Sequence, residues 1–173
     1  METSTSNTIP MVANAKKSIP LYGTIYSKPN QLGDFNWMCK QPKYNNTLFI
    51  FNDNEEYRDT CRTGKGNAII RKYNKYNDKL KQPKSAGIPT GTLAKGGYRQ
   101  LDLHVIKVVE QAISEIKDLL DKYNYDAIIY SVASNGKLGT GLFNVSQEVI
   151  DHIDSKIKSL TNIPIQIIQI VKT

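Results

Sequence analysis

The stretch DAIIYSVASNGKLGTGLFNVSQEVIDHIDSKIK, Asp126 to Lys158, decides the fold. Ala127 to Val132 is β-rich and too short for a helix, and glycines follow at 136, 139 and 141. From Val145 onward the apolar residues Val149, Ile150, Ile153, Ile157 and Leu160 recur at three- and four-residue steps, which places them on one helical face. Asn144, with Gln147 three residues later, makes a variant of the capping box at the start of that helix. The order is strand, glycine-rich loop, helix. In the loop Asn135-Gly136-Lys137-Leu138-Gly139-Thr140-Gly141, three residues lack a Cβ. Its backbone can therefore approach a ligand closely and turn N–H groups toward an anion near the helix N-terminus. The same glycines would equally serve an ordinary tight strand-to-helix connection, and the motif alone does not choose between the two.

Other segments extend this pattern on both sides. Leu21 to Tyr26 predicts a first strand, ended by the turn residues Lys28-Pro29-Asn30. Thr47 to Phe51, TLFIF, predicts a buried strand that runs into Asn52-Asp53-Asn54. Polar residues just past an apolar strand are where open α/β sheets commonly take ligands. Thr63-Gly64-Lys65-Gly66 is not a phosphate-binding P-loop. No glycine stands five residues before Gly64, and glycine follows Lys65 where Ser or Thr is required. It reads as a glycine turn opening a helix at Asn67. Pro83 to Gly97 reads as loop, with a turn at Ile88-Pro89-Thr90-Gly91. Leu103 to Tyr123 carries the strongest helical period: Val105, Val109, Ala112, Ile116, Leu119 and Tyr123, with Asp102 as cap. Ile163 to Val171 predicts a last, mostly buried strand. Alternating strands and helices point to an α/β domain over residues 18–173, while the polar, aperiodic residues 1–17 read as a mobile arm.

The chain has 173 residues, enough for one domain with a real core. It has no apolar run of eighteen residues and no hydrophobic leader, so no membrane partner and a cytoplasmic location are expected. Two cysteines, Cys39 and Cys61, and two scattered histidines suggest neither a disulfide framework nor a metal site. The net charge is +7, and it is concentrated. Between Arg62 and Lys84 eight cations face the single anion Asp78. Lys72, Tyr73, Lys75, Tyr76 and Lys79 interleave charge with aromatic rings, a pattern that suits phosphate contacts with base stacking. It suits equally a solvated, lysine-rich loop or one that docks an acidic protein.

In order, these pieces resemble a macro domain, the family that binds ADP-ribose and related nucleotides. Leu48-Phe49-Ile50-Phe51-Asn52, followed by Asn54, is similar to the family's strand ending in asparagine. Gly64-Lys65-Gly66-Asn67-Ala68-Ile69 resembles its first glycine-rich loop. Ile129 to Gly139, an apolar strand running into Ser134-Asn135-Gly136-Lys137-Leu138-Gly139, resembles its second, Ser-x-Gly-x-x-Gly. The likeness covers roughly Leu21 to Val171, although the familiar Asn-Ala-Ala-Asn is here Asn52-Asp53-Asn54-Glu55 and a long basic insertion precedes Leu103. It implies a divergent, three-layer α/β/α domain with a mixed sheet, of the kind found in viral and phage proteins, placed in the host cytoplasm or the virion.

The resemblance further implies that Asn52, Asn54, Gly64, Gly66 and Asn67 meet the distal ribose. The amides of Ser134, Asn135, Gly136, Lys137, Leu138, Gly139, Thr140 and Gly141 would cradle the diphosphate. No cofactor is implied. Hydrolysis of an ADP-ribosyl bond or of a ribose phosphate would call on Asp53, Asn54 and Lys65 to position a water. Charged residues beside a glycine loop are more often plain surface, and His104, which opens the long helix, and His152, beside its helix's apolar face near Ile153, read as structural or exposed residues.

Overall fold

The computed structural model describes residues 18–168. Six strands, β1 (Leu21–Thr24), β2 (Thr47–Asn54), β3 (Ser85–Thr92), β4 (Gly96–Gly97), β5 (Ala127–Ser131) and β6 (Gln166–Ile168), form one mixed sheet in the order β4-β3-β2-β5-β1-β6. All pairings are parallel except the β3–β4 hairpin. Three α-helices, α1 (Phe35–Met38), α2 (Leu103–Lys122) and α3 (Gln147–Lys158), join 3-10 segments at 42–44, 55–57 and 66–73. The chain is an α/β protein.

Period-two alternation divides the core. On β2, Leu48 and Ile50 point to one face and Phe49 and Phe51 to the other. The first face joins Ile88, Ile128 and Tyr130 and is covered by α2 and α3, through Val109, Ile113 and Ile116 of one and Val149, Ile153 and Ile157 of the other. The second face is covered by α1 and the 3-10 segment 66–73, where Phe35, Met38 and Ile70 close over Phe49, Phe51 and Ile129. Phe49 meets Phe35 with ring centroids 5.1 Å apart at 58°. Burial of each such side chain contributes about 1.5–3 kcal/mol.

Helix α2 begins where expected, with Asp102 accepting a hydrogen bond from the Val105 amide, and ends at Lys122. Three expectations are corrected. First, α3 starts at Gln147 with Ser146 as its N-cap, not after Asn144, and the Ser146 side chain makes no capping bond. Second, the Pro83–Gly97 stretch read as loop contains the eight-residue strand β3. Its Gly87 faces Asp53, whose carboxylate leaves no room for a Cβ there, and its Gly91 packs against the Gly96 carbonyl. Pro89 sits where the β2–β3 register shifts, between the pairs Asp53–Pro89 and Asn54–Gly91, the kind of irregularity at which a strand tolerates proline. Third, β6 is a short edge strand with Gln166 and Ile167 exposed, not a buried one. Residues 1–17, read as an arm, and the end of the expected last strand lie outside the described residues.

Candidate functional site

The parallel strands β1, β2, β3 and β5 end at one edge of the sheet. Strands β1 and β2 lead into segments on the α1 face, whereas β5, which lies between them, leads into α3 on the opposite face. This divergence is a topological switch point, where the exits on opposite faces leave a crevice beyond the strand ends. The loop that follows β5 is tied there to the end of β2. Asn52 on β2 donates its side-chain amide to the Gly139 carbonyl, bridging 87 residues of sequence.

The loop after β5 is tightly built. Val132 and Leu138 form an antiparallel bridge, and Ala133 N–H bonds the Lys137 carbonyl at 2.8 Å. Gly136, with φ of 78°, turns the chain in a left-handed conformation. Asp154 of α3, 4% exposed, holds the loop down. Its Oδ1 accepts from Leu138 N at 2.9 Å and from Tyr130 Oη at 2.8 Å, while Lys158 Nζ sits 2.7 Å from Oδ2. Burial, and then this bond to Asp154, push the Tyr130 phenol up, so it remains a donor.

That construction redistributes the expected anion cradle. The amides of Gly136, Lys137, Leu138 and Gly139 are bonded to the Ala133 carbonyl, Asn135 Oδ1, Asp154 Oδ1 and the Ser131 carbonyl. No partner is found among the described residues for the amides of Ser134 and Asn135 at the loop tip, nor for those of Thr140, Gly141 and Leu142 leading toward α3. Gly141 has φ of 61° with open space where a Cβ would stand. Lys137 is ion-paired with Asp151 at 2.7 Å, and Lys137 and Gln147 together pull the Asp151 carboxyl down.

Around the first glycine turn, Gly64 N–H bonds the Ala68 carbonyl at 3.0 Å, and Gly66 takes φ of 58° facing open space. The helix expected there is a 3-10 segment, Gly66–Tyr73. Asn67 staples it to α1, its Oδ1 accepting from Phe35 N at 3.1 Å. Asn54 caps the 55–57 turn through Glu56 N–H. Lys65 is exposed. Asp53 is 1% exposed, and its Oδ1 accepts from Arg71 Nε at 2.8 Å, from Arg71 Nη2 at 2.6 Å and from Asn54 N at 2.7 Å. Burial pushes this carboxyl up, and Arg71 and the Asn54 amide pull it back. Asp53 thus anchors the 3-10 segment beneath the crevice and is not presented to solvent.

One pair at this edge escaped the sequence. Glu55, the first residue after β2, is bonded through Oε1 to His104 Nε2 in the first turn of α2. Tyr98 lies beside them; burial first, and Glu55 next, push its phenol up. Glu55 and His104 stand 49 residues apart, so no local pattern joins them. Among the described residues no cluster of His, Cys, Asp and Glu suits a metal ion, and no helix is long and apolar enough to cross a membrane. Comparison with protein-family models, with curated proteins and with solved structures finds no match.

Proposed function

We propose that the chain binds ADP-ribose or a related phosphorylated ribonucleotide in the crevice where β2 and β5 end. The observation that carries this reading is the Asn52–Gly139 bond, because it joins the strand ending in asparagine to the second glycine-rich loop, two of the segments that carry the resemblance, at a switch point of the sheet. The diphosphate lies against the amides of Thr140, Gly141 and Leu142, close to the α3 N-terminus, where N–H groups and the helix dipole favour an anion. A cytoplasmic setting belongs to the same reading. Titration calorimetry tests it: ADP-ribose binds with measurable heat, and failure of ADP-ribose, its phosphorylated derivatives and its cyclic forms at millimolar concentration refutes it.

A hydrolytic reading is favoured by one feature, the Glu55–His104 pair on the same edge. With Asp53 engaged by Arg71, His104 is the group able to take a proton from water, with Glu55 orienting its ring. Chromatography of ADP-ribosyl and phosphoribosyl substrates decides this. Turnover that His104→Ala leaves unchanged rules the pair out.

A further inference from the structure

The cations between Arg62 and Lys84 do not form one patch, and the way the fold divides them defines a second surface. Arg71 is buried on Asp53. At the Lys75–Tyr76 end, Lys75 Nζ is 3.6 Å from Glu115 Oε1 of α2, and Tyr76 Oη donates toward Asp59 Oδ1 at 3.0 Å and Glu115 Oε1 at 3.2 Å. Arg58 adds its own pair with Glu115 at 2.9 Å. This side is close to neutral and already docked on α2.

Lys72 and Lys84 turn the other way. Lys84 Nζ reaches the Cys39 carbonyl at 3.5 Å, which brings it to the end of α1. Lys84 N–H also bonds the Tyr73 carbonyl at 2.9 Å, so Lys84 stands between Lys72, which precedes Tyr73, and Lys40, which follows Cys39, and lysines from three segments of the chain come together. Lys43 belongs to the same connection as Lys40, and its Nζ lies 5.7 Å from the Tyr44 ring centroid, as Lys72 Nζ lies 5.2 Å from that of Tyr73. None of the four makes an ion pair among the described residues. The carboxylate beside them, Asp34, is held by the amides of Asn36, Trp37 and Asn30 as the cap of α1. Lys43 and Lys84 precede β2 and β3, so this surface lies at the edge of the sheet where the parallel strands begin, opposite the nucleotide crevice.

We propose that Lys40, Lys43, Lys72 and Lys84 form a docking surface for the phosphate backbone of single-stranded nucleic acid. Unpaired ammonium groups gathered from separated segments match a polyanion whose charges recur at short, regular spacing. Lysine, a strongly hydrated point charge, suits sequence-independent contact better than the bidentate recognition arginine provides. The half-buried Tyr73 ring beside Lys72 gives a base a surface to stack on. This proposal is independent of the nucleotide reading.

The test is fluorescence anisotropy of a labelled single-stranded oligothymidylate with the full chain, over a series of salt concentrations. Binding is expected, with log K falling linearly against log salt at about 0.7 per phosphate neutralised, hence a slope of about −3 for four contacts. Lys40→Glu, Lys43→Glu and Lys72→Glu together reduce affinity at least tenfold and flatten the slope. Lys75→Glu, on the side already paired with Glu115, changes both far less. Circular dichroism melting confirms that each variant folds. Absence of binding at low salt, or a triple variant that binds as the parent does, overturns the proposal. Equal or tighter binding of polyglutamate also overturns it, because the surface then serves an acidic protein. Loss of ADP-ribose binding in the triple variant overturns the separation of the two surfaces.

Discussion

The side chain of Asn52 bonds to the main chain of Gly139, so the last turn of one central strand holds the loop that follows its neighbour. Asn52→Ala removes the tie and is expected to cost about 1 kcal/mol of stability, the net worth of one such bond. The larger effect falls on ligand: nucleotide affinity drops roughly tenfold, equivalent to about 1.4 kcal/mol. Calorimetry reads the second and urea denaturation the first. Equal affinity in the variant would separate the tie from binding.

Thr140 carries one of the unengaged amides and has no glycine-only backbone. Thr140→Glu therefore places a carboxylate against the expected phosphates without straining the turn, and ADP-ribose binding should disappear while the melting temperature holds. Lys137→Ala should leave binding nearly unchanged, since that ammonium already faces Asp151. The opposite order of effects would move the anion site to the loop tip.

Arg71 and Asp53 are buried together. Arg71→Met leaves a carboxylate without its cation in the core, and a loss of about 3–5 kcal/mol is expected in urea denaturation. Pairing Arg71→Met with Asp53→Asn should recover part of that loss. A double variant no more stable than Arg71→Met alone would show that packing of the guanidinium over Tyr57, 5.7 Å from its ring, matters more than its charge.

His152, half-buried on α3, is pushed below its ordinary value of 6.5 by burial first and by Lys156 next. Its Nε2 has no hydrogen-bond partner among the described residues. The folded chain prefers the neutral ring, so above 6.5 both states are neutral and stability is unaffected. As pH falls through 6.5 the unfolded chain takes the proton first, and stability declines until the folded pKa is passed. Thermal melts of the parent and of His152→Gln between neutral and mildly acidic pH should diverge in that window. Parallel curves would discount the ring.

Legibility in the sequence followed locality. The stripe of α2 and its Asp102 cap lie within a few residues of one another and were readable. Strand β3 was not, because Gly87 and Gly91 answer to Asp53 and Gly96, which the fold brings alongside. At the site, the glycine turns were visible as composition. Their division into engaged and unengaged amides depends on Asp154, sixteen positions from Leu138. Arg71 is one of the eight cations of the basic segment, and nothing local marks it as the buried partner of Asp53, eighteen positions away.

Strand β5 lies between β1 and β2, yet the ribosome makes it last of the three. Until residues 127–131 emerge, β1 and β2 have no strand between them, and each keeps a bare edge toward the gap. The helix that precedes β5 must also swing across the sheet before that gap can close. Pairing so distant in sequence is slow to form, and open edges flanked by Leu48, Phe49 and Ile50 invite association with other nascent chains. Pulsed hydrogen exchange during refolding should therefore protect the amides of β1 and β5 in one phase, with closure of the sheet's centre as the step that ends the chain's exposure to aggregation.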